Sequence, residues 1–351
     1  MTVPASIASP ILSEYFIPLA VSFTFSRLLL TVFLIIRSSI LNILFAELPT
    51  AALTASADTL GFTAKVDTKK EDVGRYFNIL GEKIGTSSAE LEEATNKVIS
   101  GIAKGGASKN PIREIVNSAK GVLDTLKGYL ESLGQVGDAN LVVEAVTNNK
   151  GVTVDDNSIK KALKALQEIV KVAKGKNISE PRSGSTAVKL GDADNKEGAK
   201  ILSTNEASEA GSVSKAVLIL SSVSGEEMLA SIVKSTENRV VALTGNATSS
   251  TTPLEFAKGG TSAHLANASD AKAAAVAGGI ALRSLVKDGK LASGAQDGQA
   301  GGKEEVQKVG ITAVNKLLGA VEEIVKKTVK NVLEKVKEEV DKARDPKAAG
   351  Q

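Results

Sequence analysis

From Gly310 to Lys342 a single apolar stripe, Val314, Leu318, Val321, Val325, Val329, Val332, Val336 and Val340, returns every four or three residues. Its mean step of about 3.7 residues is that of one face of a long α-helix and not the strict seven-residue seam of a coiled coil. Pro346 stands just past the end of the pattern.

The same period recurs upstream in shorter pieces. Val73, Tyr76, Phe77, Leu80 and Ile84 share one helical face, and Gly85 is placed to stop that helix. Ser87, with Glu90 three residues on, has the spacing of a capping box ahead of Leu91, Ala94 and Val98. Asn110 and Pro111 open a clearer helix, whose stripe runs Ile112, Ile115, Val116, Ala119, Val122, Leu123, Leu126, Leu130 and Leu133 before Gly134. Ile159, Leu163, Leu166, Ile169, Val170 and Ala173 repeat it, with Gly175 at the end. Ser224 and Glu227 form another capping box, ahead of Met228, Leu229, Ile232 and Val233. The small residues of AAAVAGGIALRSLVK, 273–287, predict a helix that neighbours can approach closely.

Strand signals are almost absent. Long Gly/Ser/Thr/Asn-rich connectors, roughly 134–157, 174–197, 203–214, 236–254, 258–272 and 288–305, separate the helices and have the composition of turns and open loops. Such loops are generally functional or disordered. The pattern predicts an all-α helical bundle with long connecting loops.

Composition divides the chain in two. Residues 1–57 carry only Glu14, Arg27, Arg37 and Glu47 as charges, yet hold six of the 11 aromatics; the net charge of +3 belongs to residues 58–351. The longest apolar run of the first part, LLLTVFLII at 28–36 between Arg27 and Arg37, is too short to span a bilayer, which takes about 20 residues. No Lys or Arg precedes Arg27, as a secretory signal requires, although Ala55-Ser56-Ala57 has the form of a cleavage site. We therefore expect an atypical apolar segment at 1–57 and one helical domain at 58–351.

Familiar chemistry is missing. With no Cys and one His, disulfide scaffolds, Cys-ligated metals, cysteine nucleophiles and His-rich metal sites are excluded. His264 in TSAHLANAS reads as an exposed loop histidine. DADNKEG, 192–198, has Lys196 and Glu197 where a calcium loop needs a ligand and a glycine. GEKIGTSS, 81–88, lacks the GK[ST] ending of a phosphate loop and reads as a helix junction. Glu226 with Glu227, and Glu322 with Glu323, are adjacent on helices and read as solvated faces. The lysines of the last helix (Lys326, Lys327, Lys330, Lys335, Lys337) sit among nearly as many acids, a salt-bridged face and no nucleic-acid surface. NIS at 177, NAT at 246 and NAS at 267 fit the glycosylation sequon. We expect no catalytic, cofactor-binding or metal site.

Specific strings carry a resemblance. ADTLGFTAK (57–65), DVGRYFNILGEKIG (72–85), SKNPIREIV (108–116), VLDTLKGYLESL (122–133), VSGEEMLASIV (223–233), EFAKGG (255–260), AGGIALRSLVKDGKLA (277–292) and the stretch from GITAVNKLL to the last residue resemble the variable large proteins of relapsing-fever Borrelia. The resemblance covers about 57–351. It implies an outer-membrane surface lipoprotein used in antigenic variation and evasion of antibody, with no catalysis. It also implies an all-helical fold whose long C-terminal helix lies near the N-terminal helix, with both termini toward the membrane and variable loops at the far end. Host antibodies are the implied partners; a host receptor and a second copy of the chain are further ones. The alternative is a surface adhesin or host-ligand-binding module. Family members begin with a signal peptide ending at a lipid-bearing Cys, which residues 1–56 do not match, so a silent cassette read through an unrelated or shifted upstream frame is expected.

Overall fold

The computed structural model describes residues 61–102, 111–145, 147–294 and 298–344. The apolar segment 1–57, Asn110 and Pro346 lie outside them, as do the side chains of Ala94, Val98, Ile112 and Val340. Helix α1 (Lys70–Ile102) and helix α2 (Pro111–Leu133) pack together as a helical hairpin, and α3 (Asp156–Lys174) follows. A head of short elements comes next. It comprises the two-residue strands β1 (Lys189–Leu190) and β2 (Ala193–Asp194), a 3-10 helix (Lys196–Leu202), α4 (Ala210–Ser221), α5 (Gly225–Val233), a 3-10 turn (Glu237–Arg239), α6 (Pro253–Lys258), α7 (Ser262–Leu265) and α8 (Ala273–Leu285). Helix α9 (Lys303–Arg344) then runs against α2, α3, α4, α5 and α8. The protein is all-α, as the periodicities predict.

One aliphatic core extends from Phe62 to Val329. Beyond it Leu91 of α1, Val116 and Ala119 of α2, and Val332 and Val336 of α9 form a second cluster, so three helices continue together as an extension. The long last helix therefore does lie near the first.

The expected stop at Gly85 is overturned, because α1 runs through it without a break. Gly81 and Gly85 face α2, where an added Cβ at Gly81 would sit 3.2 Å from the Lys127 carbonyl oxygen and one at Gly85 2.9 Å from the Lys127 Cδ. These glycines bring two helices close and do not end one. Ser87 is accordingly a buried mid-helix residue, and its hydroxyl has no hydrogen-bond partner among the described residues. The stripe of α9 also begins earlier than expected, with Val306 and Val309 buried in the turns before Gly310.

Gly175 closes α3 in ordinary right-handed geometry (φ −63°), and the left-handed residue is Asn177 (φ 62°). Asp155 caps the start of α3 by accepting from the Ser158 N–H. The capping box at Ser224 and Glu227 is present with both bonds made. A second box, Thr252 with Glu255 around Pro253, opens α6 inside a stretch expected to be connector.

Helix α8 is buried along its whole length. At Gly279 its backbone lies directly on Phe256, where no Cβ would fit, the close approach its small residues foretell. Helix α4 was half hidden in the 203–214 connector: Val213, Ala216, Ile219 and Leu220 face inward, but the exposed Val217 and Leu218 blur the stripe.

The connectors are less open than their composition suggests. Val136, Val142, Val143, Val154, Val188, Val240 and Ala247 are core residues. Short backbone pairings tie connectors together: Asn149 with Ser293, Val152 with Lys290, and both Ser203 and Leu243 with Gly260.

Candidate functional site

The residues weighed for chemistry are not brought together. His264 lies half-buried in α7 and not in an exposed loop, and its Nδ1 has no partner among the described residues. In 192–198, Asp194 accepts from the Ser269 hydroxyl at 2.5 Å, the Lys196 N–H at 3.1 Å and the Lys196 ammonium at 3.0 Å. Burial alone would raise its pKa, but these bonds outweigh it and hold the carboxyl at about 2. The lysine thus occupies the position a cation would take. Among the described residues no three His, Asp or Glu side chains gather as a metal site.

Glu226 holds the Arg182 N–H at 2.9 Å, and Glu227 is spent on its capping box. Glu322 departs from the solvated reading. It is buried, accepts from the Phe62 N–H at 3.1 Å and from the Tyr76 hydroxyl, and lies 3.6 Å from Lys326. Burial, then the neighbouring carboxylate, pushes the Tyr76 phenol well above its ordinary range. Its neighbour Glu323 is exposed and paired with Lys327 at 2.6 Å, one of the i,i+4 pairs expected on this helix.

What the structure does assemble is a surface of anchored connectors. Between α5 and α6, Thr244, Gly245, Asn246, Thr248, Ser249 and Ser250 are exposed. Buried Val240 and Ala247 pin the segment, helped by Leu243 N–H to Gly259 O (2.8 Å) and Ala247 N–H to His264 O (2.8 Å). Arg239 closes it against buried Glu255 at 2.7 Å. Five exposed side chains, of Thr244, Asn246, Thr248, Ser249 and Ser250, are therefore free to differ while the buried anchors stay.

Beneath this surface, long side chains from other elements hold the carbonyl ends of the head's helices. Arg283, wholly buried in the last turn of α8, donates to Ala257 O at the end of α6, to Leu202 O (3.5 Å) at the end of the 3-10 helix, and to Val152 O (2.9 Å) and Lys290 O (3.3 Å). Gly259 makes room for it, adopting φ 74° where any Cβ would strike the guanidinium. Lys70 of α1 donates to Val286 O and Gly289 O, both 2.8 Å, just past the end of α8. Burial lowers its pKa to about 8 against the pull of Asp138, Glu144 and Asp288. Lys316 of α9 holds Leu220 O in the last turn of α4 and Val223 O just past it, both 2.7 Å; Gln167 of α3 holds Val233 O (3.0 Å) at the end of α5 and Ser235 O (2.9 Å) just past it. None of these four side chains carries a signal in sequence, because each caps a helix remote in the chain.

The described residues thus form a helical scaffold that carries anchored, polar, exposed connectors. The chain matches the Borrelia lipoprotein family over residues 51–340 and belongs to it. It is 60% identical over 296 residues to variable large protein 21 of Borrelia hermsii (84% of this chain, 80% of the relative) and 58% identical over 293 residues to variable large protein 7 of the same organism (82% and 79%). More distant is variable large protein 12 of Borrelia hermsii, 28% identical over 308 residues (85% and 80%). Among solved structures, the crystal structure of the Lyme disease variable surface antigen VlsE of Borrelia burgdorferi superposes with a TM-score of 0.67 at 22% identity, covering 90% of this chain and 99% of that one. At that identity the likeness establishes the fold.

Proposed function

We propose that this protein is a variable surface antigen of the Borrelia outer membrane, whose task is to present connector side chains that change between family members and so escape host antibody. The observation that carries the reading is the 240–250 connector, where buried anchors hold residues whose side chains stay exposed. An antibody footprint takes about 20–30 residues per partner, and a few of them dominate its energy. Changing a handful of exposed residues is enough to abolish recognition, while surface substitutions of this kind alter stability by no more than about 0.5 kcal/mol. The partners on this reading are antibodies, and no catalysis is involved.

The test uses antiserum raised against the folded chain. Adsorption with a variant substituted at Thr244, Asn246, Thr248, Ser249 and Ser250 should leave a large share of the activity in solution, and protease applied to intact cells should remove the epitopes. Complete adsorption by that variant would overturn the reading.

A specific cleft favours the second reading, a host-ligand-binding module. Glu227 and Ser231 of α5, Lys234 just past its end, Ser249, Ser250 and Thr252 before α6, and Lys272 before α8 line a hollow of about 250 Å³. Neither lysine has a carboxylate partner among the described residues. Saturable binding of a host glycan, lost in Lys234→Ala with Lys272→Ala, would support this function over simple presentation.

A further inference from the structure

The C-terminal ends of the head's helices share a device. A helix leaves its last carbonyls without intrahelical partners, and a local glycine turn usually satisfies some of them. Here the carbonyls at or just beyond the ends of the 3-10 helix, α4, α5, α6 and α8 are taken by Arg283, Lys316, Gln167, Arg283 and Lys70, each reaching in from a different element. Every one of these bonds ends on a backbone oxygen. A carbonyl oxygen is the same whatever side chain its residue carries, so these bonds survive a change of side chain at the acceptor, while apolar anchors such as Val240 and Ala247 and the glycine at 259 stay fixed.

We propose that Lys70, Gln167, Arg283 and Lys316 form a side-chain-blind frame that lets the head's connectors be exchanged as units without losing their seat. Arg283 is its centre: it is fully buried, it meets no carboxylate among the described residues, and it joins four backbone segments, around Val152, Leu202, Ala257 and Lys290. Satisfied by carbonyls, the guanidinium holds the roots in place; removed, it takes its bonds from the Ala257 and Leu202 carbonyls at once, while Val152 and Lys290 still accept from each other's N–H. The use of this tolerance for antigenic variation rests on the function proposed above, but the frame itself does not.

The experiment is amide hydrogen exchange, resolved to short peptides, on the full chain. In Arg283→Met, amides at 149–152, 201–204, 243, 259–260 and 290–293 should exchange about tenfold faster or more, while those of Leu123–Leu133 in α2 keep the wild-type rate. The melting temperature should fall by about 10 °C. Should Arg283→Met fail to fold, Arg283→Lys, which keeps the charge and loses the fork, should open the same segments to a lesser degree. In Val152→Ser, an exposed root residue changes its side chain and keeps its carbonyl, and exchange should stay at wild-type rates throughout. Uniform acceleration over the whole chain in the arginine variants, or opening of the same segments by Val152→Ser, would overturn the proposal. Antiserum adsorption that contradicts the antigen reading would leave these exchange results standing, so the two can fail separately.

Discussion

Helices α1 and α2 hold each other through side chains, whereas the short helices between Lys196 and Leu285 are held in large part at their backbone ends. In the hairpin, Leu123, Leu126 and Leu130 are fully buried against the face of α1 that carries Tyr76, Phe77, Leu80 and Ile84. In the head, capping boxes at Ser224 and Thr252 fix where helices begin, and remote donors such as Lys316 and Arg283 fix where they end. The first arrangement makes each core side chain a constraint. The second adds a few remote donors to a packed core and leaves exposed connector residues such as Thr244 and Ser249 at liberty, which suits the changing surface proposed above.

The contrast can be broken at several points. Leu126→Ala strikes the side-chain-held region and should cost about 2–5 kcal/mol in urea unfolding, with exchange in the head little altered. A small effect here would show that the hairpin, too, is held by its backbone.

Lys70 belongs to the other mode and gives it a pH signature. Its folded pKa of about 8 lies below the ordinary 10.5, so between those values the unfolded chain holds a proton that the folded chain has released. Stability contributed by this group therefore rises from about pH 8 to about pH 10.5, by at most roughly 3 kcal/mol, and below pH 8 the cost of burying the charge is borne in full. Lys70→Met should flatten that rise in a series of melts across the same window; an unchanged slope would separate Lys70 from the effect.

A pair of glycines sharpens the comparison further. Gly279→Ala drives a methyl group into Phe256 and should destabilise by about 1–3 kcal/mol. Gly121→Ala in α2 meets open space and should stabilise by about 0.5–1 kcal/mol through helix propensity. Both are read from thermal melts, and equal signs at the two sites would contradict the packing described.

The sequence made the hairpin, α3, α5, α8 and α9 legible because a buried helix face repeats at a fixed period and a capping box at Ser224 has a fixed spacing. It misled at Gly85, since a glycine that ends a helix and one that seats a neighbouring helix look alike until Lys127 is in place. Glu322 was read as solvated because adjacency to Glu323 says nothing of what covers each; Phe62 and Tyr76, some 250 residues away, decide it. The connector surface was legible as composition, but its anchors at Val240 and Ala247 were not, as single apolar residues among polar ones carry no period. The donors Lys70, Gln167, Arg283 and Lys316 were invisible for the same reason, each being one residue acting across the fold.

The start of the described chain has a mechanical meaning. Asn315 grips both the N–H and the carbonyl of Ala64, at 2.8 and 3.1 Å, and Glu322 holds Phe62 about two helical turns further along α9. A pull on the chain ahead of Gly61 is delivered first to these three bonds on the longest helix, before it reaches the first turn of α1. Residues 61–64 thus work as the strain relief on a cable, keeping tension on the preceding chain from prying open the packing behind them.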